Sequence, residues 1–132
     1  LAHRRTVFLV LAIGWVLTVT TLSLMPSSGL PGISFPHLDK IVHFVFYYVF
    51  FILWYGAFCK ENPFYTISYK ALALSFVLAA VYGIIVEVLQ YTMNYGRAGD
   101  IEDALANTAG IICGIFTVIL IKAINKTTKR AN

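Results

Sequence analysis

Four apolar runs, each long enough to cross a hydrocarbon core of about 30 Å, constrain this chain more than anything else in it. They cover residues 6–25, 41–59, 71–93 and 104–121. Such a core holds no water, so every backbone N–H and C=O must find its partner within the protein. That leaves helices or a closed barrel. Barrel strands are about ten residues long and alternate in polarity, and these runs do neither. The chain therefore reads as all-α: a polytopic membrane protein, a four-transmembrane-helix bundle with short loops. Composition agrees, with 59% of residues hydrophobic and 12% charged, about half the charge of a soluble domain. A soluble chain this small has too much surface to hide so much apolar material.

The connections are brief. Residues 26–38 are rich in proline, glycine and serine, 60–70 contain Asn62-Pro63, and 94–100 contain Gly96 and Gly99. These are loop compositions, and they leave one membrane domain over residues 1–132. The first run follows His3-Arg4-Arg5, as a secretory signal would. It is longer than a signal core and precedes no small-x-small cleavage site, so a retained span is expected.

Four spans put both termini and the middle connection on one side. That side carries Arg4, Arg5, Lys60, Lys70, Lys122, Lys126, Lys129 and Arg130, against Lys40 and Arg97 on the other. The asymmetry places both termini in the cytoplasm and turns the first and third connections outward. The net charge of +4 is thereby a topological signal, and no nucleic-acid partner is expected. Cys59 and Cys113 lie in different runs at different depths, without zinc-type spacing. They are expected to be packing residues with no disulfide.

The remaining polar residues gather at one end. Asp39, Glu87, Asp100, Glu102 and Asp103 all fall at or near the outward ends of helices two to four, as do Lys40, His43 and Arg97. Helical spacing places them on stripes. Lys40, His43 and Tyr47 form one on helix two. Gly83, Glu87, Gln90 and Asn94 form one on helix three, and Asp103, Asn107, Gly110 and Gly114 one on helix four. Helix one offers a milder stripe of Gly14, Thr18 and Thr21, and the simplest assembly turns all four stripes towards one another. Glu87 lies about two turns inside its helix, where an unpaired carboxylate costs several kcal/mol, so it must be protonated, paired or hydrated.

The order Asp39-Lys40-x-x-His43-Phe44, Gly83-x-x-x-Glu87-x-x-Gln90, Arg97, Asp100-x-x-Asp103-x-x-x-Asn107-x-x-Gly110 resembles the VanZ-like family of small bacterial membrane proteins. The resemblance runs from Asp39 to Gly110 and leaves helix one largely outside the pattern. It implies a multi-pass protein of the bacterial plasma (inner) membrane. The family's namesake is linked to low-level resistance to the glycopeptide teicoplanin, through a ligand or reaction that is unsettled. Asp39, Lys40, His43, Glu87, Gln90, Arg97, Asp100, Asp103 and Asn107 carry over as motif positions, not as established catalytic roles.

Several have two readings. Asp100 and Asp103 either present carboxylates to a divalent cation or cap helix four, as N-cap and third helical residue. Asp39 caps helix two or joins His43 and Glu87 as a catalytic candidate. Lys40 and Arg97 grip an anion or merely balance acids. Tyr47, Tyr48, Trp54, Tyr55, Tyr91 and Tyr95 are read as belt and packing residues.

The leading expectation is a polar site, open to the outer face, that engages a cell-envelope ligand: a phosphate-bearing lipid or a peptidoglycan precursor. His43, Glu87 and Asp39 would be its acid–base groups; Lys40, Gln90, Arg97, Asp100, Asp103 and Asn107 would bind or orient the ligand. The alternatives are a proton-coupled small transporter acting as a dimer, and a structural or assembly protein without catalysis. No serine or cysteine stands in a nucleophile's setting. The sequence itself names no reaction, cofactor, metal or oligomeric state.

Overall fold

The computed structural model describes residues 2–25, 37–93 and 101–131, with side chains through residue 127. Within them the chain forms α1 (Ala2–Leu24), α2 (Leu38–Phe58), α3 (Tyr69–Met93) and α4 (Ile101–Ala131), and no strand. All four are long and apolar enough to span a bilayer. Their outward side chains, such as Leu17, Ile84 and Phe116, are large, apolar and exposed, a surface that only lipid covers well.

The helices outrun the apolar runs at both ends. α1 takes in His3, Arg4 and Arg5. α4, with 31 residues, is about 46 Å long, so its last turns with Lys122 and Lys126 continue past a core of about 30 Å. α3 begins at Tyr69 because Ser68 caps it, its Oγ accepting from Ala71 N at 3.2 Å. Asp39 does not cap α2. The cap position is His37, in the left-handed region at φ 60°, without a side-chain bond. Asp39 stands inside the first turn, where the helix dipole still favours an acid.

Lys40 near the start of α2 pairs with Asp103 near the start of α4, and His43 lies beside Glu87 towards the end of α3. Arg5 at the start of α1 donates to Ala57 O in the last turn of α2 at 3.3 Å. The four helices therefore alternate in direction. One end gathers both terminal helix ends and the 59–68 connection, and the opposite, far end gathers the polar stripes.

α2 is the hub. It touches every other helix, whereas α1 and α4 do not meet among the described residues. The division of labour is by size. α2 contributes Tyr47, Phe50, Phe51 and Tyr55, all buried, while α3 offers Ser75, Ala79 and Gly83 and α4 offers Gly110 and Gly114 at the contacts. Small residues let helix backbones approach in lipid, where close packing takes over much of the role of hydrophobic burial. The Phe50 and Tyr82 rings stack with centroids 4.9 Å apart, closing an aromatic layer across the middle of the bundle. An apolar cavity of about 240 Å³, lined by Phe8, Ile52, Gly56, Phe64 and Ile121 among others, lies between α1 and α4 on the terminal side of that layer.

Two expectations fail here. The Gly14–Thr18–Thr21 stripe faces outward: Thr18 and Thr21 donate to their own helix, to Gly14 O at 3.0 Å and Leu17 O at 2.8 Å. A hydroxyl satisfied in this way needs no neighbouring helix. α1 packs instead through Ala12, Val19 and Ser23, with Trp15 Nε1 donating to Phe46 O at 2.9 Å. Cys113 is not a packing residue, since it is exposed on α4 while Cys59 is buried. The inward face of α4 runs through Asn107, Gly110, Ile111, Gly114 and Val118, and Cys113 lies about 100° round from Gly114.

Candidate functional site

At the far end, three helices bring their stripes together. Gly110 sets the separation of α2 and α4. A Cβ there would lie 3.0 Å from Tyr48 N and 3.1 Å from the Phe44 carbonyl carbon, so these two backbones run almost in contact. Lys40 and Asp103, and His43 and Asn107, thereby face each other across the seam, and α3 supplies Glu87 from the side.

Lys40 Nζ lies 2.6 Å from Asp103 Oδ1, 3.0 Å from Asp39 Oδ2 and 3.8 Å from Glu102 Oε2. The first of these pairs is internal, with side chains 19% and 13% exposed, while Asp39 and Glu102 are 58% and 63% exposed. Partial burial makes the Lys40–Asp103 pair the strongest of the three, because solvent screens the other two. Among the described residues, one ammonium thus answers three carboxylates.

His43 Nδ1 lies 3.0 Å from Asn107 Oδ1, and Asn107 Nδ2 donates to Glu87 Oε1 at 3.5 Å. An amide that donates through nitrogen to a carboxylate presents its oxygen elsewhere, so the Nδ1–H of His43 is the donor to Asn107. In the neutral imidazole Nε2 is then the nitrogen with the lone pair, and it faces Asp103 Oδ2 at 3.7 Å. Glu87 Oε1 is 3.9 Å from His43 Nδ1. The depth that makes Glu87 costly in lipid is therefore relieved by polar neighbours on two other helices. Such a cluster can take up a proton or hold a cation. Beneath it, Tyr47, Phe50 and Phe51 are buried to 2% exposure or less, so the polar region has an aromatic floor.

Of the residues singled out by sequence, Asp39, Lys40, His43, Glu87, Asp103 and Asn107 come together. Gln90 is buried on the same face of α3, but its Nε2 donates to Ser23 O at 2.9 Å and ties α3 to α1. Arg97, Asp100 and Asn94 lie outside the described residues. Two participants were not singled out. Glu102 reaches Lys40 from beside Asp103, a position that its place in the first turn of α4 could have suggested. The Tyr47 hydroxyl is buried without a hydrogen-bond partner among the described residues. Its place on the stripe of Lys40 and His43 is the sequence signal that separates it from the other packing tyrosines.

The family model described as VanZ/LLP1 matches residues 4–122, taking in α1 as well as the polar motifs. No curated protein and no solved structure matches the chain.

Proposed function

The chain belongs to the VanZ/LLP1 family, and we propose on that premise that its far-end cluster is a binding site for a phosphate-bearing cell-envelope ligand, a lipid or a peptidoglycan precursor, presented at the outer face of a bacterial plasma membrane. The observation that carries the reading is the depth of the cluster. His43, Asn107, Glu87 and Asp103 sit together on three helices of an otherwise apolar bundle, and ionisable groups so placed mark sites rather than surfaces. The predominance of basic residues at the terminal end supports orienting the cluster outward. Lys40, steadied by Asp103, and Arg97 of the third connection supply positive charge for the head group. His43 and Glu87 are the acid–base pair for any proton transfer. The aromatic floor favours a site open at one end over a pathway for a transported ion.

Native mass spectrometry of the detergent-purified protein, beside a His43→Ala/Glu87→Gln variant, tests the reading. A phosphate-bearing molecule retained by the wild type and lost from a folded variant is expected. In cells, expression is expected to raise tolerance to teicoplanin, and the variant is not. A wild type that retains no such molecule, with susceptibility identical for both proteins, refutes the proposal.

One observation favours a second reading. Four of the polar contacts join different helices: Lys40–Asp103 and His43–Asn107 tie α2 to α4, Asn107–Glu87 ties α4 to α3, and Gln90–Ser23 ties α3 to α1. A purely structural lock predicts that substitutions lower stability and function in parallel, whereas a binding residue loses function while the fold survives.

A further inference from the structure

We propose that His43, Glu87 and Asp103 hold a divalent transition-metal ion of the Mn2+ or Zn2+ class at the far end of the bundle. The inference deepens the reading of this same site and rests on it for the ion's purpose, which is to receive a phosphate oxygen.

The first argument is convergence. One ring nitrogen of His43 and one carboxylate oxygen each from Glu87 and Asp103 lie within 4.8 Å of one another. They come from three helices, with side chains 8%, 16% and 13% exposed. Ligand atoms on an ion with bonds of about 2.0–2.2 Å stand roughly 3–3.5 Å apart. Closing the cluster on an ion from a spread of 4.8 Å therefore takes an adjustment of about 1.5 Å.

The second argument is the direction of the lone pairs. Asn107 engages Nδ1 of His43, which directs the Nε2 lone pair at Asp103 Oδ2, 3.7 Å away. Neither of these two atoms has a hydrogen bond to any described residue. Two acceptors facing at that separation repel unless a positive charge lies between them. Asn107 meanwhile does what the outer partner of a metal-bound histidine does, fixing the tautomer and the ring orientation.

Charge agrees. Among the described residues the cluster sets Lys40 against Asp39, Glu87, Glu102 and Asp103. A divalent ion among these carboxylates would lower the cost of their charge beside lipid and present a positive centre to a phosphate oxygen. One imidazole with two carboxylates is a mixed donor set. It suits Mn2+ or Zn2+ better than Ca2+ or Mg2+, which take oxygen alone. With three protein ligands the ion keeps a coordination position open. The buried Tyr47 hydroxyl, one turn along α2 from His43, has no hydrogen-bond partner among the described residues.

The test uses the full chain in detergent micelles, stripped with a chelator and titrated with Mn2+, with electron paramagnetic resonance reading the free ion. One ion bound per chain is expected, with nitrogen coupling to the bound Mn2+ in the pulsed spectrum. His43→Gln should abolish that coupling, and His43→Gln, Glu87→Gln and Asp103→Asn should each weaken binding at least about tenfold. Glu61→Gln at the opposite end should leave binding unchanged. Absence of stoichiometric binding by folded wild type overturns the proposal, as does nitrogen coupling that is missing from wild type or persists in His43→Gln. The wild-type spectrum decides even where a variant fails to fold. Bound Mn2+ without a retained phosphate compound sustains the metal site and sinks the ligand reading. A retained phosphate compound with no metal does the reverse.

Discussion

Gly110→Ala strikes the seam on which the candidate site depends. The added methyl falls onto the Phe44 carbonyl group, with its carbon at 3.1 Å and Tyr48 N at 3.0 Å. Ordinary contact between carbons is about 3.5–4.0 Å, and a helix backbone cannot rotate aside, so α2 and α4 must part by roughly 0.5–1 Å. Parting them loosens Phe51 from Gly114 and stretches the Lys40–Asp103 and His43–Asn107 pairs together. Overpacking costs about 1–3 kcal/mol, and a clash between backbones belongs at the upper end. Alanine's better helix propensity returns about 1 kcal/mol. A net loss of about 2 kcal/mol remains, a factor of about 30 in the folding equilibrium. Equilibrium unfolding in mixed micelles, followed by far-ultraviolet circular dichroism, measures it. Gly14→Ala is the matched control, because nothing lies within 4 Å of its added Cβ, and it should be neutral or stabilising by up to about 1 kcal/mol. Unchanged stability in Gly110→Ala would refute the reasoning, as would equal damage from Gly14→Ala.

Three other outcomes are expected. A double-mutant cycle of Lys40→Met with Asp103→Asn, read by unfolding free energy, should show a coupling of about 1–3 kcal/mol, reflecting a pair at 2.6 Å that is largely screened from water; additive losses would make the pair incidental. Gln90→Leu should cost about 1 kcal/mol by freeing Ser23 O, yet leave ligand and metal binding intact, as native mass spectrometry and the Mn2+ titration would report. In a background without Cys59 and Cys113, Glu102→Cys should react with an impermeant thiol reagent added to whole cells, and Lys126→Cys only after permeabilisation; the opposite pattern would invert the proposed orientation.

The spans were legible because lipid leaves a backbone few choices, so run length alone reports a helix. The inward stripes of α2, α3 and α4 were legible for a related reason. Lys40, Glu87 and Asp103 cannot satisfy themselves, and their spacing points to where partners must be. Thr18 and Thr21 misled because a threonine in a helix satisfies itself, so its polarity says nothing about facing a neighbour. Asp39 misled as a cap because the residue in the left-handed conformation at the start of α2 is His37, a choice of backbone that no side-chain pattern announces. The metal-like convergence of His43, Glu87 and Asp103 depends on the rotation of α3 about its axis relative to the seam, a quantity absent from any single helix's periodicity.

The pairing of α2 with α4 also sets an order of manufacture. Lys40 and His43 find their partners 63 and 64 residues further along the chain. A ribosome adding about 5–20 residues per second reaches those partners roughly 3–13 s later. Through that interval the Lys40 ammonium has Asp39 in its own turn but lacks Asp103, His43 lacks Asn107, and Glu87 arrives ahead of Asn107. A chain that stops before α4 therefore presents polar groups to lipid that the completed chain conceals. An unfinished molecule therefore differs physically from a finished one in the polar groups that it shows to its surroundings.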